Sequence, residues 1–175
     1  NRAGELAREI EEMNLKRRAV DEDTTEQAMA QLQQSDPDSF CNLVAGKNWH
    51  RGVVGIVASR LIESRYRPSI VLSEEEDVLI GSARSVDGVD IHKALEECSD
   101  LLTQFGGHPM AAGLSLPTEN LAAFRDKLEA SIKRQLNGIT PQPQVRCDQE
   151  VKLGDLTFEA WREMQLLEPF GPGNH

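Results

Sequence analysis

The chain has 175 residues, 39% hydrophobic and 27% charged, and its 29 acidic residues outnumber its 19 basic ones, giving a formal net charge of −10. That length suits one domain with appendages or a small pair of domains. No apolar run approaches the roughly 18 residues that cross a bilayer, so we expect no membrane partner and no secretory leader. Taken alone, the net charge argues against a broad nucleic-acid surface, which needs clustered basic residues.

A charged amphipathic helix is predicted for residues 1–34. Its apolar residues recur at a spacing of three to four, interrupted over residues 21–25. They are Leu6, Ile10, Met13 (or Leu15), Val20, Ala28, Met29 and Leu32. Because a single apolar stripe cannot build a core of its own, we expect a linker helix that lies on the rest of the chain.

An α/β sheet domain is predicted next, because strand-like and helix-like segments alternate as far as Gly138. Strands are expected at 40–44, 69–73, 78–83 and 113–116, and helices at 53–62, 90–104 and 118–136. Asp90 is the expected N-cap of the second of these helices. Residues 106–109, Gly-Gly-His-Pro, are expected to form a tight loop after it.

The last part of the chain is predicted to be a separate segment. Residues 139–144 form a Pro-rich linker, 145–153 a strand and 157–167 a helix, followed by a Gly/Pro-rich run over 169–175. The chain begins without Met inside a helical pattern and ends in that turn-rich run. We therefore expect a fragment of a longer protein.

The charge is unevenly distributed along the chain. Residues 71–100 hold nine acidic residues against two basic ones, whereas residues 46–68 hold five basic residues against one acidic one. The potential near a cleft depends on the local arrangement of charge rather than on the total. A phosphate site is therefore compatible with the acidic composition.

The loop that leads into the first apolar helix is a candidate anion site. It reads Trp-His-Arg-Gly-Val-Val-Gly over residues 49–55. A helix N-terminus offers free backbone N–H groups to an anion, and cations lie close by in the sequence. The alternative is a tight turn whose glycines serve packing. Trp49 fits either a base-stacking platform or a core position.

A second candidate lies at the end of an apolar strand, in the Gly-Ser-Ala-Arg-Ser segment of residues 81–85. Arg84 between two hydroxyl groups offers a planar fork and two neutral donors, a combination suited to a phosphate. The alternative is an ordinary strand-end arginine paired with the acidic run nearby.

The third candidate is the Phe-Gly-Gly-His-Pro-Met-Ala-Ala-Gly segment of residues 105–113. Its two adjacent glycines let the backbone come close to a ligand, and His108 can donate a hydrogen bond or titrate near neutral pH. The alternative is a structural histidine.

A complete catalytic centre is not indicated. The four histidines are not at metal-binding spacing, and no nucleotide-binding glycine loop or nucleophile elbow is present. Cys41, Cys98 and Cys147 are widely spaced and fit the reduced thiols of a cytoplasmic protein. The residues thus predict an anion-binding α/β domain without a metal site.

The three motifs together, followed by Pro-Phe-Gly-Pro-Gly-Asn at residues 169–174, resemble the RecJ family of single-strand-specific exonucleases, within the DHH phosphoesterase superfamily. The resemblance covers the DHH-associated domain, and it implies a mixed β-sheet flanked by helices. It further implies that residues 1–37 are a connector helix from an absent catalytic domain, that 38–140 are the DHH-associated domain, and that 141–175 are a linker and the start of a β-rich OB-fold region.

The resemblance also implies an activity. Enzymes of this family degrade single-stranded DNA from its 5′ end with two manganese or magnesium ions, whose ligands lie on the catalytic domain. This chain would carry no cofactor of its own and would be inactive alone. The expected partners are single-stranded DNA and, for the full-length protein, a helicase or a single-strand-binding protein.

Site residues follow from the matching motifs. Ser82, Arg84 and Ser85 match the segment that grips a phosphate near the terminal nucleotide. Gly106, Gly107 and His108 match a loop that faces the active site, and His108 would contact a phosphate and stabilise developing negative charge. Lys47 and Arg51 are the expected auxiliary phosphate contacts.

Two other functions fit the same residues. One is a phosphodiesterase of the same superfamily that acts on short oligonucleotides or cyclic dinucleotides. The other is a non-catalytic nucleic-acid-binding or partner-binding module, the role that a related domain has in alanyl-tRNA synthetase.

Overall fold

The computed structural model describes residues 2–145, 147, 149–171 and 173–174. Its helices are α1 (Arg2–Gln34), α2 (Val54–Ser64), α3 (Ile91–Glu97), α4 (Leu121–Gln135) and α5 (Phe158–Gln165). Its strands are β1 (Asn42–Lys47), β2 (Ser69–Glu75), β3 (Val78–Arg84), β4 (Gln104–His108) and β5 (Ala111–Pro117). One compact unit ends at Gln142 and a second begins at Pro143.

The five strands form one mixed sheet in the order β1-β2-β3-β5-β4. β1 and β2 are parallel and are joined through α2, and the other neighbouring pairs are antiparallel. This is the predicted α/β class, with helices on both faces of the sheet.

Alternating side chains divide the sheet between two cores. Ile70 and Leu72 are buried on the α3–α4 face, while Val71 between them is buried on the α1–α2 face. On the α1–α2 face, α2 packs against β2 and β3. The outer strands β5 and β4 carry small or polar residues on that face, which therefore remains open beside α2.

α1 is anchored differently from the prediction in its first half. The side chains Leu6, Ile10, Met13, Leu15 and Val20 are exposed. Asp21 and Thr24, from the predicted interruption, are buried together with Ala28 and Leu32. The predicted stripe is therefore confirmed at Ala28 and Leu32 and wrong over residues 6–20, and Asp21 adds a charged contact by accepting a hydrogen bond from Arg60 of α2 at 2.7 Å.

Residues 90–108 also differ from the prediction. Asp90 is the N-cap as expected and accepts a hydrogen bond from the Lys93 backbone, but α3 ends at Glu97 and a short 3-10 turn follows it. The predicted loop at residues 106–109 was wrong, because Gly106, Gly107 and His108 belong to β4 and pair with β5. Glycine has low strand propensity, and here the backbone pairing with β5 overrides it.

The unit that begins at Pro143 is described by itself. Thr157 caps the N-terminus of α5 through a hydrogen bond to its hydroxyl from Ala160. No strand occurs among the described residues of 145–153, where a strand was predicted as the start of a β-rich region. In the described part of the chain, no helix combines the length and the hydropathy needed to span a membrane.

Candidate phosphate-binding site

The sheet register places Arg84 and His108 on the same face and at the same level. Arg84 of β3 pairs with Ala111 of β5, and Ala111 in turn pairs with His108 of β4. Directly opposed residues in adjacent strands share a face, and two strand spacings amount to about 10 Å. Because Ala111 has a short side chain, it leaves the space between the two longer ones open.

Arg84 is a partly buried cation with unused donors. Its Nη1 donates to the Ser82 hydroxyl at 2.7 Å and to the Ala83 carbonyl at 2.9 Å. Among the described residues, neither its Nε nor its Nη2 has an acceptor, and no carboxylate lies within ion-pair distance. A guanidinium held in place in this way presents its remaining N–H groups to an incoming anion.

The N-terminus of α2 lies against this guanidinium. A Cβ placed on Gly55, in the first turn of α2, would be 2.7 Å from Arg84 Nη2 and 3.3 Å from Ser82 Oγ. The N-cap residue is Val53, whose side chain makes no capping bond, and the N–H groups of Val54 and Gly55 have no partner in the described structure. Two of the three predicted segments therefore meet at one point, where the positive end of a helix adds to the charge of Arg84.

The two serines beside Arg84 have different surroundings. The Ser82 hydroxyl accepts from Arg84 and lies on the same face as that residue. Ser85 is buried, with 7% of its surface exposed, and its hydroxyl donates to the Val89 carbonyl at 2.7 Å. The Ser85 N–H also donates to the Met110 carbonyl at 2.9 Å, which ties the end of β3 to the β4–β5 turn. In this arrangement Ser85 fixes the spacing between Arg84 and His108.

The fold requires glycine at only one of the two adjacent glycine positions of β4. Gly107 has φ +149°, and a Cβ on it would lie 2.4 Å from the Ala111 carbonyl oxygen. The fold itself therefore requires glycine at this position. At Gly106 an added Cβ would meet nothing within 4 Å, so the described fold gives no reason for glycine there. His108 next to them is exposed, with no side-chain partner in the described structure.

The auxiliary cations Lys47 and Arg51 are paired with acidic residues. Lys47 Nζ lies 3.5 Å from Glu74, and Arg51 Nε donates to Glu75 at 2.7 Å, with a second contact through Nη2. This hydrogen bonding raises the pKa of Arg51 and lowers the pKa of Glu75. Glu74 and Glu75, the last two residues of β2, thus pair with both cations.

The aromatic residue of the first segment is part of the core. Trp49 is 4% exposed, packs against Gly46, and its Nε1 donates to Gln27 of α1 at 2.9 Å. Of the two interpretations left open by the sequence, the core position is confirmed.

An open groove continues from the site along the same face of the sheet. It has a volume of about 410 Å³, and its lining includes Arg51, Ile80, Gln104, Gly106 and Gly113. Ser82, Gly113 and Gly106 occupy one register row across β3, β5 and β4, so the floor next to Arg84 carries almost no side chains. Such a floor lets the flat rings and sugars of a chain-like ligand approach the backbone closely.

Neither a metal-ligand cluster nor a reactive buried thiol is found among the described residues. Among them, no three His, Cys, Asp or Glu side chains lie together as metal ligands would. Burial raises the pKa of the Cys98 thiol to about 11 and raises that of Cys41 well above its usual range, so both thiols stay protonated at neutral pH.

One residue beside the site, Gly55, was not predicted as a functional residue. The signal was present, because a glycine stands inside an otherwise apolar helical segment, where it lowers helix stability. Its neighbour Arg84 follows 29 positions later in the sequence, so the contact itself depends on the fold.

Comparison with known proteins confirms the resemblance found in the sequence. A family model described as the DHHA1 domain matches residues 38–134. The single-stranded-DNA-specific exonuclease RecJ of Bacillus subtilis is 40% identical over 171 residues, which are 97% of this chain and 22% of that protein. RecJ of Thermus thermophilus is 35% identical over 177 residues, or 97% of this chain and 24% of that protein. The chain spans less than a quarter of the length of either relative.

The fold agrees with a solved structure of the same family. The crystal structure of RecJ in complex with Mg²⁺ from Thermus thermophilus superposes with a TM-score of 0.80 at 30% identity, covering 95% of this chain and 25% of that one. The chain belongs to the DHHA1 domain family and is homologous to the RecJ exonucleases over most of its length.

Proposed function

We propose that this chain is the strand-gripping portion of a RecJ-like exonuclease that hydrolyses the phosphodiester bonds of single-stranded DNA. One observation carries the proposal: Arg84 is held in place by Ser82 and the backbone, yet Nε and Nη2 have no acceptor among the described residues. A fixed guanidinium whose Nε–Nη2 edge is free matches the geometry of a phosphate. The homology to RecJ exonucleases supplies the class of substrate.

Arg84 grips one phosphate of the strand in this proposal. Nε and Nη2 donate to two oxygens of the same phosphate, and the unpaired N–H groups at the start of α2 add a favourable potential. Ser82 orients the guanidinium, and Ser85 acts through the loop that it holds. A charge-assisted contact of this kind is worth about 1.5–3 kcal/mol.

His108 contacts the same or the neighbouring phosphate in this proposal. It lies on the same face as Arg84, about 10 Å away across two strands, and only the short side chain of Ala111 stands between them in that register row. As a donor it would stabilise the negative charge that develops during hydrolysis. Gly106, where an added Cβ would meet nothing within 4 Å, leaves room for the strand to lie against β4.

In this proposal, the metal ions are held by residues other than those described here. The proposed reaction uses two manganese or magnesium ions, but no ligand set for them occurs in the described part of this chain. The role assigned here is therefore to bind and orient the strand. Action from the 5′ end, a place in DNA repair and recombination, and a helicase or single-strand-binding partner follow from the resemblance to the RecJ family and belong to the same proposal.

The proposal is tested with the 175-residue chain in two assays. We expect no release of mononucleotides from single-stranded DNA in the presence of manganese, and weak binding whose affinity falls with salt. For contact with one or two phosphates, the slope of log affinity against log salt is about −0.7 to −1.4. Nuclease activity of the pure chain would contradict the first expectation, and binding that is absent or independent of salt would contradict the second.

A further inference from the structure

Gly55 occupies a position in α2 where a side chain would enter the phosphate site. The three heavy atoms nearest to a Cβ built on it are Arg84 Nη2 at 2.7 Å, Ser82 Oγ at 3.3 Å and Arg84 Cζ at 3.4 Å. The first of these distances is shorter than real Cβ contacts. A methyl group at residue 55 therefore cannot coexist with the guanidinium in its present position.

The backbone does not explain this glycine. Gly55 lies within an α-helix and has no positive φ, unlike Gly107 with φ +149°. Any residue can adopt its conformation, and alanine is a much better helix former than glycine. The contact with Arg84 and Ser82 is thus the feature of the described structure that favours glycine here.

We propose that Gly55 is a positioning residue for Arg84, an inference that rests on the proposed phosphate grip. Without a side chain, the first turn of α2 closes directly onto the guanidinium. Nη1 then reaches Ser82 and the Ala83 carbonyl, and Nε and Nη2 keep their N–H groups without an acceptor in the described structure. A methyl group would displace the far end of a flexible side chain rather than the helix. The fold would persist and the phosphate contact would be lost.

Four variants of the 175-residue chain test this role: Gly55→Ala, Arg84→Ala, the double variant, and Gly4→Ala as a matched control. Gly4 also lies in the first turn of a helix, but a Cβ there meets nothing within 4 Å. The measurements are thermal unfolding and the affinity for a short 5′-phosphorylated oligothymidylate over a range of salt. We expect Gly55→Ala and Arg84→Ala each to lose about 10- to 100-fold in affinity and about 0.7 in salt slope. The double variant loses no more than Arg84→Ala alone, and the control binds like the wild type.

The possible outcomes distinguish a failure of the positioning role of Gly55 from a failure of the proposed phosphate grip by Arg84. If Arg84→Ala weakens binding and Gly55→Ala does not, the positioning role is overturned and the phosphate grip stands. Losses that add in the double variant also overturn it, because Gly55 would then act independently of Arg84. If Arg84→Ala binds normally, the phosphate grip itself fails and the inference fails with it. Should Gly55→Ala unfold the chain, folding of the double variant supports Arg84 as the obstacle, and unfolding of both overturns the inference.

Discussion

Arg84 and Arg51 are both basic residues beside one sheet face, but they occupy different electrostatic environments. Arg51 lies near the β2–β3 turn, where Glu75 binds its guanidinium through two contacts. Arg84 lies at the other end of β3, bonded to a hydroxyl and a carbonyl, with no carboxylate nearby in the described structure. The number of basic residues in a segment therefore does not identify the cations that can bind a ligand.

The strand register explains the difference. Lys47 of β1 pairs with Glu74 of β2. The acidic end of β2 therefore lies beside the end of β1 and the loop that follows it. The residues opposite Arg84 are Ser69 and Ala111, neither of which is charged. Two of the five basic residues over residues 46–68, Lys47 and Arg51, are thereby paired with acidic residues of a different segment of the chain.

Replacing the unpaired arginine should have the largest effect on DNA binding. Arg84→Ala is expected to weaken binding to single-stranded DNA by about 10- to 100-fold, since a charge-assisted contact of about 1.5–3 kcal/mol is lost. Arg51→Ala is the matched control and should change affinity by less than about threefold, because its exposed pair contributes little. Equal losses in the two variants, measured by fluorescence anisotropy, would remove the distinction between the two arginines.

The two glycines of β4 should separate binding from stability. Gly106→Ala is expected to keep the free energy of unfolding within about 0.5 kcal/mol and to weaken DNA binding by about fivefold, as a methyl group enters the ligand's space. Gly107→Ala should destabilise the fold by about 2 kcal/mol or more, because a Cβ would meet the Ala111 carbonyl. Chemical denaturation and binding measurements on both variants check the two effects. A Gly106→Ala variant that binds normally would show that the strand does not approach this position.

Removing the charge of Glu75, the partner of Arg51, should have a smaller effect on DNA binding. Glu75→Gln is expected to raise the affinity for single-stranded DNA about twofold at low salt, and the gain should vanish at high salt. Because pairing lowers the pKa of Glu75 from its ordinary value of 4.5, the wild-type pair forms at neutral pH and is lost only as the pH falls through that lowered pKa. Unchanged affinity of Glu75→Gln at low salt would indicate that the strand does not pass near Arg51.

The buried pair between α1 and α2 should affect stability and leave DNA contacts largely intact. Asp21 has 3% of its surface exposed and binds Arg60, while also lying near Thr25. Asp21→Asn is expected to lower the free energy of unfolding by about 1–3 kcal/mol. This loss is smaller than that of a fully buried ion pair because Arg60 is more than a third exposed. At a temperature where the variant is folded, its DNA affinity should match the wild type. A large loss of affinity in the folded variant would assign Arg60 or α1 to the binding site.

Much of the sheet could be predicted from the sequence because its strands are short apolar runs next to clear turn signals. The strands β2 and β3, and the Asp90 cap, depend on local patterns that tertiary contacts leave unchanged. β4 could not be predicted in the same way, because adjacent glycines such as Gly106 and Gly107 are typical of loops. Only the pairing with β5, which the sequence does not show, makes them part of a strand. α1 was misjudged for a related reason: the burial of Asp21 depends on Arg60, which lies 39 residues further along the chain.

The candidate site was predicted in its components more fully than in its arrangement. The motifs identified Arg84 and His108, but the sequence could not show that Arg84 lacks an acidic partner, because partners are set by strand order. Nor could it show that Gly55 touches Arg84, or that the Ser85 hydroxyl is used inside its own loop. Each of these facts depends on which distant segments the sheet brings together.

A titration followed residue by residue shows directly whether Arg84 binds the strand. Single-stranded oligothymidylate is added to the isotopically labelled chain, and backbone and arginine side-chain NMR signals are recorded. If Arg84 grips the strand, the largest changes occur at Gly55, at the Arg84 Nε–H group and at residues 106–111. Signals of Lys47, Arg51 and Glu75 should change less. Changes that concentrate on those three residues, or that leave Arg84 unaffected, would contradict the account.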